Sequence, residues 1–140
     1  MNIIETGIEG LFVVEPRIFA DQRGYFFESF SEKDFRKATG VDIEFVQDNE
    51  SKSSKGVLRG LHFQTGEYAQ AKLVRVVSGA VQDVAVDLRK GSPTFGKYFS
   101  IILTGENKKQ FFIPAGFAHG FVTLEDNTIF QYKCSQYYAP

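Results

Sequence analysis

Val57-Leu58-Arg59-Gly60-Leu61-His62-Phe63-Gln64 decides how the rest of the chain is read. Its apolar, β-compatible residues indicate a strand, and it carries one of the two histidines. A second strand-like run, Ala71-Lys72-Leu73-Val74-Arg75-Val76-Val77, follows closely. The other histidine, His119, lies in Pro114-Ala115-Gly116-Phe117-Ala118-His119-Gly120. These segments are expected to line one pocket that moves protons without a metal. Strict alternation would put Leu58, Gly60, His62 and Gln64 on one face of the strand, with Arg59, Leu61 and Phe63 on the other. Arg59 and His62 share a pocket only if the strand bulges or twists between them, and Gly60 permits that.

Outward from this stretch the chain reads as short strands. Leu11–Glu15 is one, ended by Pro16. Phe19–Gly24 reads as a turn, and Tyr25–Phe30 resumes β-type residues. Ser31-Glu32-Lys33-Asp34 resembles a helix start with Ser31 as N-cap, and Gly40 is a plausible stop. This is the one short helix expected. Ile43–Asn49 reads as a strand and Glu50–Gly56 as a polar, mobile loop. Ser78-Gly79, between Lys72–Val77 and Ala80–Leu88, is a two-residue hairpin signal. Tyr98–Leu103 is a further strand, and His119–Leu124 with Thr128–Cys134 form an expected last hairpin around Glu125-Asp126-Asn127. Many closely spaced short strands argue for an all-β sandwich or small barrel in one domain, residues 1–140.

Bulk properties narrow the function. The chain has 140 residues, a net charge of -1, 15 Phe, 6 Tyr and no Trp. That charge gives no reason to expect nucleic acid or an anionic membrane as partner. One cysteine, Cys134, excludes an intramolecular disulfide framework and fits a small buried apolar residue. No apolar run approaches the roughly 18 residues that span a bilayer, and no secretory leader is evident. A cytoplasmic location is the expectation.

Three side chains suit proton chemistry. A neutral imidazole is a good general base near neutrality, which points to His62. An amine beside a developing oxyanion stabilises it, a role open to Lys72. A phenol can deliver a proton from the opposite side, a role open to Tyr132. Each also has a plainer reading: a hydrogen-bonded structural histidine, or a lysine reaching for solvent. Gln47 and Asn49 share one face of their strand, which could equally be an exposed polar face. A metal is disfavoured. Residues 114–119 look like the second half of a cupin metal motif, but the first half needs His-x-His followed by Glu. Here it is His62-Phe63-Gln64 with Glu67 beyond, and glutamine is a poor ligand. Lys72 in the same pocket would also repel a cation.

Residues 56–64, 72–89, 91–96 and 112–121 together resemble the dTDP-4-dehydrorhamnose 3,5-epimerase family, RmlC-like members of the cupin superfamily. Phe19, Asp21, Arg23, Gly24, Phe26 and Glu28 fit the family's N-terminal segment. The resemblance runs from about residue 3 to the end. It implies an all-β double-stranded β-helix (jelly roll) needing no metal or organic cofactor. It implies inversion of C3 and C5 of dTDP-4-dehydro-6-deoxy-D-glucose, giving dTDP-4-dehydro-L-rhamnose through an enolate, a step of deoxysugar biosynthesis. His62 would abstract the proton, Lys72 stabilise the enolate oxygen and Tyr132 reprotonate the other face. Arg59 would hold pyrophosphate, and His119, Gln47 and Asn49 would line the sugar and phosphate region. Phe19, Arg23, Phe26 and Glu28 would meet the sugar nucleotide across a homodimer with exchanged N-terminal strands. Tyr138 matches a pocket tyrosine, and Asp83 an inward carboxylate near His119. Family members continue past the equivalent of Pro140, and that segment carries an aspartate that orients the base histidine. No acidic residue of these 140 matches it, so a less well-oriented base is the expectation. The alternatives are a metal-dependent cupin enzyme and a nucleotide-sugar-binding cupin without turnover.

Overall fold

A computed structural model of the chain describes residues 1–66 and 69–137. The described residues form strands β1 (Asn2–Glu5), β2 (Phe12–Glu15), β3 (Ile18–Asp21) and β4 (Gly24–Phe27), then helix α1 (Glu32–Thr39). Strands β5 (Gln47–Ser53), β6 (Leu58–His62), β7 (Lys72–Ser78) and β8 (Ala80–Asp87) come next. The series ends with β9 (Tyr98–Thr104), β10 (Gln110–Ile113), β11 (Phe117–Thr123) and β12 (Thr128–Cys134). One sheet has the order β1-β2-β10-β7-β12-β5, a second the order β6-β11-β8-β9, and β3 pairs with β4 alone. The two large sheets face each other as a jelly roll. Their shared core includes Val74, Val76, Val81, Leu103, Phe111, Phe121 and Phe130. The rings of Phe121 and Phe130, one from each sheet, stack at 4.1 Å between centroids.

The six-stranded sheet is covered on its other face as well. Phe12, Val14, Leu73 and Phe112 point outward there and pack with Phe35 of α1. The helix itself is specified locally. Ser31 Oγ accepts from the Asp34 amide, and Gly40 closes the last turn in the left-handed region at φ 72°. Phe35 is its one buried side chain, which supplies most of the helix's attachment, roughly 2–3 kcal/mol.

Several expectations need correction. Ser78-Gly79 is not a hairpin turn, because β7 belongs to the six-stranded sheet and β8 to the other. Glu125–Asn127 likewise joins β11 and β12 across the gap between the sheets. The two crossings lie side by side, with the Leu124 amide donating to Ala80 O and Thr128 Oγ1 accepting from the Ala80 amide. Local turn chemistry is the same for a hairpin and a corner, and only the placement of the apolar faces separates them. The third correction concerns Glu50–Ser53, which is strand rather than mobile loop. Pairing with β12 along Gln47–Ser53 overrides the polar composition. Its side chains alternate, with Asp48, Glu50 and Lys52 exposed. Ile43 and Phe45, expected in that strand, instead pack on the cluster beneath α1.

The β3–β4 hairpin has two unlike faces, the expected turn being confined to Gln22–Arg23. Tyr25 and Phe27 lie against Lys108 Nζ, at 4.0 and 5.9 Å from the ring centroids. The opposite face presents Phe19 and Phe26, paired in register and 52% and 70% exposed.

Candidate active site

One irregularity in β6 builds the site. His62 is opposite His119 of β11, while Arg59 is opposite Phe121. Three steps along β6 therefore match two along β11, a bulge of one residue. That extra residue brings Arg59 and His62 to the same inward side despite their odd spacing. Gly60, at φ 104°, sits inside the bulge, where a Cβ would lie 2.6 Å from His119 O and 2.8 Å from Gly120 Cα. Leu58 and Leu61 are left facing out, 72% and 60% exposed.

Lys72 and Tyr132 come from the other sheet. They lie on β7 and β12, on the faces that also carry Val74, Val76 and Phe130 into the core. Lys72 Nζ stands 5.5 Å from the centroid of the Tyr132 ring. A cavity of about 470 Å³ is lined by His62, Lys72, His119 and Tyr132, with Gln64, Gln70 and Phe117 among its other walls. A smaller recess of about 130 Å³ shares those first four residues and adds Arg59 and Ser51. Arg59 Nε donates to Ser53 Oγ at 3.0 Å, so the strand misread as a loop steers the arginine. The signal for Ser51 and Ser53 was the period-two alternation of a polar segment.

His119 is 5% exposed, and its Nε2 lies 2.8 and 2.9 Å from the two oxygens of fully buried Asp83. Asp83 is thus an inward carboxylate beside His119, as the resemblance implied. Burial pushes the Asp83 carboxyl upward, and the His119 and Lys72 charges pull it back. Loss of water holds the Lys72 ammonium below its ordinary value, against the opposing pull of Cys134 and Asp83. Loss of water also lowers His62, although that side chain is exposed at the mouth, and the charges of Lys72, His119 and Arg59 lower it further. The base candidate is therefore neutral over a wider pH range than a free histidine.

Other expected residues lie elsewhere. Gln47 Nε2 donates to Asn49 Oδ1 at 2.9 Å, and Asn49 Nδ2 to the buried Cys134 Sγ at 3.7 Å. Both sit on the edge strand β5, on the side of Tyr132, and neither lines the two recesses just described. Phe19, Arg23 and Phe26 line a depression of their own hairpin, and Glu28 is exposed just beyond it. Tyr138 and Glu67 lie outside the described residues. Among the described residues no group of three or more His, Cys, Asp and Glu converges as metal ligands would. Among the described residues no helix is long and apolar enough to cross a membrane.

Comparison with known proteins identifies the family. The chain is 56% identical to the dTDP-4-dehydrorhamnose 3,5-epimerase of Escherichia coli K12 over 140 residues, which is 100% of this chain and 76% of that protein. The dTDP-6-deoxy-D-glucose-3,5-epimerase of Legionella pneumophila, crystallised with dTDP-4-keto-L-rhamnose, superposes with a TM-score of 0.95 at 55% identity. That match covers 99% of this chain and 73% of that one. The Bacillus anthracis dTDP-4-dehydrorhamnose 3,5-epimerase with TDP and PPi bound gives a TM-score of 0.95 at 47% identity, covering 99% and 79%. The family model for dTDP-4-dehydrorhamnose 3,5-epimerase matches residues 5–140. With the jelly roll and these matches in agreement, the chain belongs to the dTDP-4-dehydrorhamnose 3,5-epimerase family.

Proposed function

We propose that the chain inverts C3 and C5 of dTDP-4-dehydro-6-deoxy-D-glucose to give dTDP-4-dehydro-L-rhamnose, without a metal. The observation that carries this reading is the placement of His62 on one sheet and of Lys72 and Tyr132 on the other, around one cavity. Inversion needs a base and an acid on opposite faces of one carbon, and two facing sheets supply two faces. C3 and C5 both flank the C4 ketone, so removal of either proton gives an enolate. His62 takes the proton. Charge gathers on the C4 oxygen, where the Lys72 ammonium stabilises it. The Tyr132 hydroxyl returns a proton from the far side, and the configuration inverts. Asp83 pairs with His119 Nε2 and fixes the orientation of that ring beside the sugar. Arg59 takes the pyrophosphate, for which a guanidinium fork is suited, and Gln47 and Asn49 extend the phosphate side.

Phe19, Arg23, Phe26 and Glu28 serve the nucleotide of a second copy in a homodimer with exchanged N-terminal strands. The exposure of Phe19 and Phe26, away from this chain's own cavity, supports that reading. So does the apolar outer face of the four-stranded sheet, where Leu58, Leu61, Tyr98 and Ile102 are all more than half exposed.

Proton exchange tests the chemistry directly. With the substrate in D₂O, NMR should show deuterium entering C3 and C5. His62→Ala should abolish exchange while nucleotide-sugar binding persists. No deuterium at either carbon with the unaltered chain would refute catalysis.

A further inference from the structure

We infer that Gln70 is a specificity-determining residue that accepts a hydrogen bond from a ring hydroxyl of the sugar. The inference rests on the nucleotide-sugar reading above and assigns a task that reading leaves open. Gln70 lines the larger cavity together with His62, Lys72 and Tyr132. Its Nε2 donates to Gln64 Oε1 at 2.9 Å, yet its own Oε1 is buried and has no partner among the described residues. Buried acceptors are nearly always satisfied, so an orphan carried by a cavity-lining residue points to a donor that arrives with a ligand.

The chemistry of the wall says which donor. Lys72, Arg59 and the Tyr132 hydroxyl are donors, suited to the ketone and phosphate oxygens. A sugar hydroxyl also needs an acceptor, and the linings of both recesses hold no carboxylate among the described residues. A neutral amide oxygen fills that need without placing negative charge beside an enolate. The acceptor is also pre-set. The Ala71 amide donates to Ser135 Oγ at 2.8 Å, and the Ser135 amide returns a bond to Ala71 O at 3.0 Å, which pins the backbone next to Gln70. Gln64 holds the amide end. The position that departs from a metal-binding His-x-His therefore acquires a role of its own, orienting Gln70.

The test compares Gln70→Leu with the unaltered chain. The ligands are dTDP, the 4-keto-6-deoxyglucose nucleotide, and its 2-deoxy and 3-deoxy analogues. Calorimetry gives binding, and C5 exchange gives turnover. Loss of one neutral hydrogen bond should weaken binding of the full nucleotide sugar about tenfold while dTDP binding stays the same. One of the two deoxy analogues should bind the unaltered chain about tenfold less well, and Gln70→Leu should no longer distinguish it from the full substrate. If both proteins lose equally with both analogues, the inference is wrong. It is also wrong if Gln70→Leu weakens dTDP as much as the nucleotide sugar, since Gln70 would then only hold the segment in place. An unaltered chain that neither binds nor exchanges the nucleotide sugar would instead overturn the parent reading, and this inference with it.

Discussion

Gly60→Ala should be among the most damaging single-methyl changes in this molecule, and its cost can be worked from the structure. Two effects add. Residue 60 has φ 104°, a region costing an L-residue about 1–2 kcal/mol. The new Cβ would also lie 2.6 Å from His119 O and 2.8 Å from Gly120 Cα. Both are backbone atoms of β11, which is paired with β8 from Phe117 to Thr123 and has little freedom to retreat. Forcing such an overlap adds roughly 1–3 kcal/mol. The total is about 2–5 kcal/mol, or a Tm lower by roughly 10 °C or more in a domain of this size. Gly56→Ala is the matched control. Its φ is 85°, but a Cβ there meets nothing within 4 Å, so only the backbone part, about 1–2 kcal/mol, applies. Urea unfolding followed by circular dichroism measures both. Residual proton exchange should fall further than the folded fraction in Gly60→Ala alone, because relief of the overlap moves Arg59 and His62 apart. Equal unfolding midpoints for the two variants would refute the argument that close backbone approach fixes the bulge.

Tyr132→Phe should separate two steps. His62 can still remove and return a proton on one face, so deuterium continues to enter C3 and C5, while inversion falls by about 10²–10⁴; complete loss of exchange would place Tyr132 in proton removal instead. The His62 imidazole should titrate below its usual value of 6.5. Neighbouring positive charge disfavours the imidazolium, so Lys72→Met should move the midpoint upward in an NMR titration of the ring, and a downward or absent shift would contradict the assigned electrostatics.

The features legible in the sequence are those set by local chemistry. Ser31, Asp34 and Gly40 cap α1 because capping involves only neighbouring backbone groups. Lys72–Val77 was legible as a strand, though not which of its two largely apolar faces points inward. The bulge at Gly60 was anticipated because an odd spacing and a glycine coincide. Non-local facts were not legible. Ser78-Gly79 carries identical turn chemistry whether its strands pair or part, and here they part. Gln47–Ser53 owes its strand to β12, some eighty residues later in the chain. Gln64 looked like a missing metal ligand, and its contact with Gln70 depends on how the cavity wall closes. The hairpin residues Phe19, Arg23 and Phe26 matched the family's pattern but stand apart from His62 in the single chain.

The charges in the cavity argue for the order of events. Lys72 carries a positive charge that burial has made costly, and Arg59, His62 and His119 share its surroundings. Asp83 is spent on His119. An overall charge of -1 therefore hides a cavity that is short of negative charge. A pyrophosphate relieves part of that deficit on binding, but it does so equally before and during the reaction, and uniform binding does not speed the chemical step. On the proposed mechanism the enolate oxygen is different, because its charge does not exist in the ground state. At about 4 Å and an effective dielectric near 20, a full charge beside an ammonium is worth roughly 4 kcal/mol, so even partial charge at C4 lowers the barrier selectively. A divalent cation would meet the same field with the opposite sign. On the proposed mechanism, the lysine whose charge would repel a metal is also the group whose partner appears only in the transition state.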